Sequence, residues 1–239
     1  MPKNSQELTI LIPIFNEKEN IPFLVSSLKN FIRKWKYRTE VLMVNDGSTD
    51  GSRELLEKIV KKEKKFRVVH HEKNKGFGAA LKTGYRNSWG TVISTMDADL
   101  THDPDEIKKF MEKIKEGYDI VIGSRYVEGG KMIGVAWYRR LISDTSRILI
   151  RILFNMPIKD VTNGFRAVRK TVVDNIDLKS DSFNILPEMV VKARRKGYKI
   201  TEVAMTLKKR KYGVSKMNPL KDYTKEIVTL FKLRLGLGL

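Results

Sequence analysis

Short, nearly continuous apolar runs alternate with helically spaced apolar residues through the first half of the chain. Leu8-Thr9-Ile10-Leu11-Ile12-Pro13-Ile14 is apolar almost throughout, which predicts a strand buried on both faces. Beyond Asn20-Ile21-Pro22, the residues Phe23, Leu24, Leu28, Phe31 and Ile32 recur at helical spacing and predict a helix that packs on that strand. The alternation then repeats. Further strands are predicted at 40–44, 67–70, 91–96 and 119–124. Between them fall a helix with Leu55, Leu56, Ile59 and Val60 on one face, a helix opened by Lys75-Gly76-Phe77-Gly78, and a helix over 103–116. Strands and helices alternating at this spacing indicate an α/β fold with a mostly parallel sheet flanked by helices.

The polar segments that follow the predicted strands, 15–17, 45–50, 97–101 and 124–130, add a functional expectation. The C-terminal ends of parallel strands share one sheet edge, and open α/β sheets bind their ligands there. From about Gly129 the pattern changes. A long helical stretch over 137–155 mixes apolar residues with Arg139, Arg140, Arg147 and Arg151. A turn and strand over 160–166, a helix near 186–196, a strand at 199–205, a basic loop at 208–216 and an amphipathic segment over 219–239 follow. Without internal repeats or a low-complexity linker, 1–239 reads as one domain in two functional halves, 1–128 and 129–239.

Charge sharpens that division. Residues 1–130 carry 23 Lys and Arg against 19 Asp and Glu, a net of +4, while 131–239 carry 24 against 9, a net of +15. A strongly basic second half suits a polyanionic partner such as nucleic acid, anionic lipid headgroups or a phosphorylated substrate. The absence of cysteine excludes disulfides and thiolate zinc. Met1-Pro2-Lys3-Asn4-Ser5 lacks the apolar core of a signal peptide, and no run approaches the length of a membrane span.

The chemistry concentrates at Met96-Asp97-Ala98-Asp99-Leu100, after the fourth strand. In extended backbone, residues i and i+2 face the same side, so Asp97 and Asp99 are expected to converge. Mg²⁺ commonly takes one or two carboxylates, with substrate phosphates and water completing its shell. Other readings are weaker. Gly76-x-Gly78 lacks the third glycine of a dinucleotide fingerprint, since position 81 is Leu. No P-loop, H-E-x-x-H or G-x-S-x-G occurs. His70, His71 and His102 lack metal spacing and read as surface or loop histidines.

Taken in order, seven motifs resemble the family-2 glycosyltransferases with the GT-A fold, and within them the polyprenol-phosphate (dolichol-phosphate) mannose synthases. They are Ile12-Pro13-Ile14-Phe15-Asn16-Glu17, Val44-Asn45-Asp46-Gly47-Ser48-Thr49-Asp50, Asn74-Lys75-Gly76-Phe77-Gly78, Met96-Asp97-Ala98-Asp99-Leu100, Gly123-Ser124-Arg125-Tyr126, Thr162-Asn163-Gly164-Phe165-Arg166 and Arg210-x-x-Gly213-x-Ser215-Lys216. The resemblance covers about residues 8–220 and makes 1–128 the nucleotide-sugar-binding half and 129–239 the acceptor-binding half.

It implies that Pro13, Phe15, Glu17, Asp46, Asp97, Ala98 and Asp99 hold the nucleotide sugar, and that Asp97 and Asp99 grip Mg²⁺ or Mn²⁺. Relatives often carry Gln where this chain has Thr101, which leaves Thr101 as a third candidate metal ligand. Arg125, Arg139, Ser143, Arg210 and Lys216 match positions that bind phosphate, with Asp99, Arg125, Arg210 and Lys216 the expected catalytic set.

The implied reaction moves a hexose, first of all mannose from GDP-mannose, to dolichyl or polyprenyl phosphate with inversion. UDP-glucose or UDP-N-acetylglucosamine is the next donor. Transfer to a sugar hydroxyl instead would require a base, with Asp103, Asp144 and Glu188 as candidates. A nucleic-acid-binding protein is the alternative from another class, but no recognition motif supports it. A lipid acceptor implies peripheral association with a membrane, on its cytoplasmic face. The 137–155 stretch reads either as an interfacial helix that meets it or as a helix whose apolar face packs on the sheet, and the apolar-rich end at 230–239 either as a short anchor or as the edge of a truncated chain.

Overall fold

The apolar runs become the centre of a seven-stranded sheet in the computed structural model, which describes residues 7–134, 148, 152–210, 212, 230, 231 and 234. In chain order, the strands of the first half are β1 (Leu8–Ile14), β2 (Thr39–Asp46), β3 (Phe66–His71), β4 (Val92–Thr95) and β5 (Ile120–Ser124). The helices between them are α1 (Ile21–Lys34), α2 (Ser52–Lys62), α3 (Phe77–Asn87) and α4 (Ile107–Lys115), the last preceded by a 3₁₀ turn at Pro104–Glu106. The second half adds β6 (Lys131–Met132), β7 (Arg166–Arg169), α5 (Lys170–Asn175), α6 (Ile185–Arg195), β8 (Ile200–Ala204) and β9 (Thr206–Leu207). Residues 152–154, at the end of the predicted 137–155 helix, are helical; most of that stretch lies outside the described residues.

The strand order is β3-β2-β1-β4-β7-β5-β8. Every pairing is parallel except those of β7, which runs antiparallel between β4 and β5. The first half therefore splits its own sheet between β4 and β5, and the second half supplies the wedge. The register Ser94↔Ala167 with Val121↔Ala167 sets the small Ala167 side chain in the sheet centre. Two buried layers flank the sheet. One joins Ile10, Ile12, Leu24, Leu28, Met43, Phe110 and Phe165 on the α1, α2 and α4 side. The other joins Leu11, Leu42, Val44, Leu81, Ile122, Met189 and Val190 on the α3 and α6 side. β1 and β2 contribute alternate residues to both layers, which explains their continuous apolar character.

Phe23 departs from the expected α1 face. The buried residues of α1 are Ile21, Leu24, Leu28, Phe31 and Ile32, whereas Phe23 is 44% exposed. One residue along a helix is a rotation of about 100°, which carries position 23 off the stripe through 24, 28 and 31.

Candidate active site

The loops after β1 and β2 are sewn to each other before they hold anything else. Asn16 takes a left-handed φ of 54°, which brings its N–H to the Ser48 hydroxyl at 2.9 Å. Its side-chain carbonyl accepts the Thr49 N–H at 2.8 Å. The Glu17 N–H reaches the Ser52 hydroxyl, and Asp50 accepts from the amides of Lys18 and Ser52. Burial pushes the Asp50 carboxyl up, but the Ser52 hydroxyl and these amides outweigh it and hold Asp50 below the ordinary carboxylate value. Small polar residues at 16 and 48–52 thus satisfy loop backbone that would otherwise stand bare at the sheet edge.

Asp46, at the end of β2, is buried and heavily used. One carboxylate oxygen accepts from the Lys75 amide and lies 2.6 Å from His71 Nδ1. The other accepts from the Gly76 amide. Asp46 therefore fixes the entry to α3, where Gly76 has φ 100° and a Cβ would meet the Asp181 carbonyl at 2.4 Å. The Gly78 amide donates to that same carbonyl. The 177–184 loop is in turn held by Glu188, fully buried on α6, which accepts from the Lys179 and Ser180 amides and the Lys192 ammonium. Glu188, a candidate base in the sequence, is a structural anchor with its oxygens committed to three donors. Asp103, another candidate, accepts the Asp105 amide and pairs with Lys208. Asp144 lies outside the described residues.

Asp97 and Asp99 do not lie on an extended strand, so the side-sharing of residues i and i+2 does not apply to them. β4 stops at Thr95, residues 98 and 99 form a turn, and Leu100 takes φ 63°. The Asp99 Oδ1 accepts from both the Thr101 amide and, at 2.7 Å, the Thr101 hydroxyl. His102 Nε2 lies 3.3 Å from Asp97 Oδ2, with its ring stacked on Phe165 at 4.6 Å. Burial raises the Asp97 carboxyl, but His102 with Arg210 and Arg125 outweighs it and leaves Asp97 below its ordinary value. His71 and His102, read as surface or loop histidines, are both buried: His71 ends β3 and His102 lies in the loop after β4, and a carboxylate partner offsets the burial of each ring. Only His70, bonded to Asn45 and Glu57, is partly exposed.

Arg210 closes the acidic side. β9 leaves the sheet edge beside the Asp99 turn, where the Lys208 amide donates to the Thr101 carbonyl. Two residues on, the Arg210 guanidinium bridges Asp99 Oδ2 at 2.9 Å and Glu17 Oε1 at 3.1 Å. Glu17 is raised chiefly by burial, with Asn20 and Arg210 pulling it down. Residues 17, 99 and 210 are far apart in the chain, and no local spacing announces their meeting.

Arg125, after β5, is gripped by buried Asp160, which accepts from its amide, Nε and Nη2. Asp160 is itself set by Glu202, whose carboxylate takes the Lys159 and Asp160 amides. Beneath them Arg166 is fully buried and donates to the carbonyls of Val161, Asn163 and Leu186. Burial lowers its guanidinium to about 10. Arg166 thereby shapes the 160–164 turn that presents Gly164. A Cβ there would lie 3.6 Å from Asp97 Oδ1 and 3.7 Å from the Phe77 ring. Sequence reading assigned Arg166 no such role; an arginine inside an apolar strand is the signal that points to it.

Of the expected site residues, Pro13, Phe15, Glu17, Asp46, Asp97, Ala98, Asp99 and Thr101 lie at or just beyond the ends of β1, β2 and β4, with Arg125 and Arg210 beside them. Arg139, Ser143 and Lys216 lie outside the described residues. Among the described residues no three His, Cys, Asp or Glu side chains form a metal cluster. The Arg210 guanidinium lies between the Glu17 and Asp99 carboxylates. Two aspartates and a substrate diphosphate are a donor set that Mg²⁺ accepts.

A mostly parallel sheet with carboxylates gathered at its strand ends, and an arginine laid across two of them, is an open α/β sheet with a ligand site at its edge. The chain matches the family "Glycosyl transferase family 2" over residues 9–177 and belongs to it. It is 36% identical over 230 residues to a dolichol-phosphate mannosyltransferase of Pyrococcus furiosus, covering 95% of this chain but 64% of the relative. It is 33% identical to a polyprenol monophosphomannose synthase of Mycolicibacterium smegmatis, covering 90% and 82%. An undecaprenyl-phosphate mannosyltransferase of Micrococcus luteus is 32% identical over 87% of this chain and 86% of its own. The fold also matches glucosyl-3-phosphoglycerate synthase of Mycobacterium tuberculosis, solved with Mn²⁺, UDP and glucosyl-3-phosphoglycerate. That match has a TM-score of 0.74 at 16% identity and covers 98% of this chain and 81% of the other.

Proposed function

We propose that this protein transfers mannose from GDP-mannose to a polyprenyl phosphate, with inversion at the anomeric carbon. The observation that carries the reading is Arg210 bridging Glu17 and Asp99 at the strand ends. It sets carboxylates of the kind that hold a divalent cation beside a guanidinium of the kind that binds phosphate. The three mannosyltransferase relatives supply the sugar and the lipid-phosphate acceptor.

Asp97 and Asp99 hold the divalent cation, Mg²⁺ or Mn²⁺, with the donor diphosphate, and Thr101 acts through Asp99, to which its hydroxyl is bonded. When bound, the cation supplies charge stabilisation for the departing nucleoside diphosphate. Glu17 and Asp46 bound the nucleoside end. An acceptor phosphate oxygen attacks the anomeric carbon from the side opposite the diphosphate. The new C–O bond forms as the bond to the diphosphate breaks, and its electron pair leaves with the nucleoside diphosphate. A phosphate monoester is already anionic near neutral pH, so no side chain needs to take its proton. That agrees with Glu188 and Asp103 both being committed to structural donors. Arg125, Arg139, Ser143, Arg210 and Lys216 receive the acceptor phosphate.

A lipid-tailed acceptor supports work at a membrane surface, for which the reading takes the cytoplasmic face. Among the described residues no helix is long and apolar enough to cross one. Ile148 and Ile152 are 49% and 74% exposed, which favours contact through the second half. Incubation with labelled GDP-mannose, UDP-glucose and UDP-N-acetylglucosamine tests the proposal, using polyprenyl phosphate or a free sugar as acceptor. Label entering the organic phase from GDP-mannose with polyprenyl phosphate is the expected result. Transfer only to the free sugar would overturn it.

A further inference from the structure

We propose that Phe23 and Asn20, at the start of α1, are positioning residues that hold Arg210 over the acidic cradle through Tyr212. The inference rests on the reading of Arg210 given above. A single exposed aromatic on a helix needs no explanation. Phe23, however, stacks on Tyr212 with ring centroids 5.1 Å apart and planes 19° from parallel. Tyr212 is two residues beyond Arg210, so the stack lies next to the guanidinium's own stretch of backbone. The same point is tied a second way. Asn20 Nδ2 donates to the Glu17 carboxylate at 2.6 Å and is 3.4 Å from the Tyr212 carbonyl. Glu17 then accepts from Arg210. Within one turn and a half, residues 17, 20 and 23 therefore engage the side chain of Arg210, the carbonyl of Tyr212 and the ring of Tyr212 in succession.

This arrangement accounts for an aromatic residue turned away from the α1 core. It also separates two tasks. Glu17 and Asp99 attract the guanidinium by charge, which varies little with direction. The Phe23–Tyr212 stack and the Asn20 bond fix where the backbone carrying it runs. Removing the stack should leave the cradle's affinity for a nucleoside diphosphate intact and spoil the presentation of Arg210 to the acceptor phosphate.

The test compares wild type, Phe23→Ala, Phe23→Trp, Tyr212→Ala and the Phe23→Ala/Tyr212→Ala double variant. Amide hydrogen exchange over 205–212 in the ligand-free protein reads the positioning directly. An aromatic pair contributes enough that Phe23→Ala should speed this exchange about fivefold. The thermal midpoint and the affinity for GDP with Mn²⁺ should stay at wild-type values. The kcat/KM for polyprenyl phosphate should fall by a similar factor and return in Phe23→Trp. The double variant should lose less than the two single variants combined, because both remove the shared Phe23–Tyr212 stack. Unchanged exchange in Phe23→Ala, or losses that multiply in the double variant, would overturn the proposal. If exchange responds as expected but wild type transfers nothing to polyprenyl phosphate, the positioning stands and the functional reading falls.

Discussion

His102 lies flat on Phe165 and turns Nε2 to within 3.3 Å of Asp97 Oδ2. The imidazole is thus clamped by an aromatic face on one side and a carboxylate at its edge, and Asp97 is oriented from below. Outer partners of this kind tune the grip of a ligating carboxylate. His102→Phe keeps the stacking surface and removes the bond. It should fold normally yet bind Mn²⁺ with GDP about tenfold more weakly. Calorimetric titration of the metal at saturating GDP checks this, and unchanged affinity would remove His102 from the site.

Glu188 distinguishes the two acceptor classes. As an anchor for the Lys179 and Ser180 amides, it matters for folding and not for proton transfer. Glu188→Gln should lower stability by about 1–3 kcal/mol, measured by urea denaturation. Its kcat, corrected for the folded fraction, should stay near wild type. A collapse of kcat in fully folded protein would make Glu188 a general base.

Two glycines should respond in opposite ways. At Gly78 a Cβ would come within 2.4 Å of the Ser180 carbonyl and 2.8 Å of the Asp181 backbone, so Gly78→Ala should cost about 1–3 kcal/mol of stability. At Gly164 the nearest atoms, Asp97 Oδ1 and the Phe77 ring, are at ordinary contact distance. Gly164→Ala should therefore keep its thermal midpoint while raising the KM for the donor by about tenfold, because the methyl takes space beside Asp97. Parallel melting curves and donor titrations separate the two effects.

Asp50 gives a pH signature. Its carboxyl is held below the usual value in the folded protein, so its contribution is fully present above the unfolded value near 3.8. It is lost as pH falls through the lower folded value. Asp50→Asn should be less stable than wild type at pH 7, and the gap should close below about pH 4 in denaturation series. A gap that widened in acid would reverse the assignment.

The legible part of the fold was its local part. Continuous apolar runs announced β1 and β2 because both faces of those strands are buried, and Asn45–Asp50 announced its loop through turn-forming residues. What escaped were relations across long separations. β7 begins only at Arg166, where the turn and strand expected over 160–166 end, and no periodicity in 166–169 encodes its antiparallel place between β4 and β5. His102 reads as a surface or loop residue, and its burial escapes because an imidazole looks the same in sequence until its carboxylate is placed. Phe23 was assigned to the core face by being apolar, although its angular position on α1 already excluded it. In the site, Asp97 and Asp99 stand out by their motif, but they lie beyond the end of β4, at and beside the turn at 98–99, and not on an extended strand.

Asp97 and Asp99 are proposed to hold a metal-bound nucleoside diphosphate. Titration of GDP into wild type, Asp97→Ala and Asp99→Ala, with Mn²⁺ and with chelator, tests it most directly. The account predicts metal-dependent binding to wild type and a loss of about a hundredfold or more in either variant, with unchanged melting curves. Equal affinity in all three proteins, or binding indifferent to chelator, would contradict it.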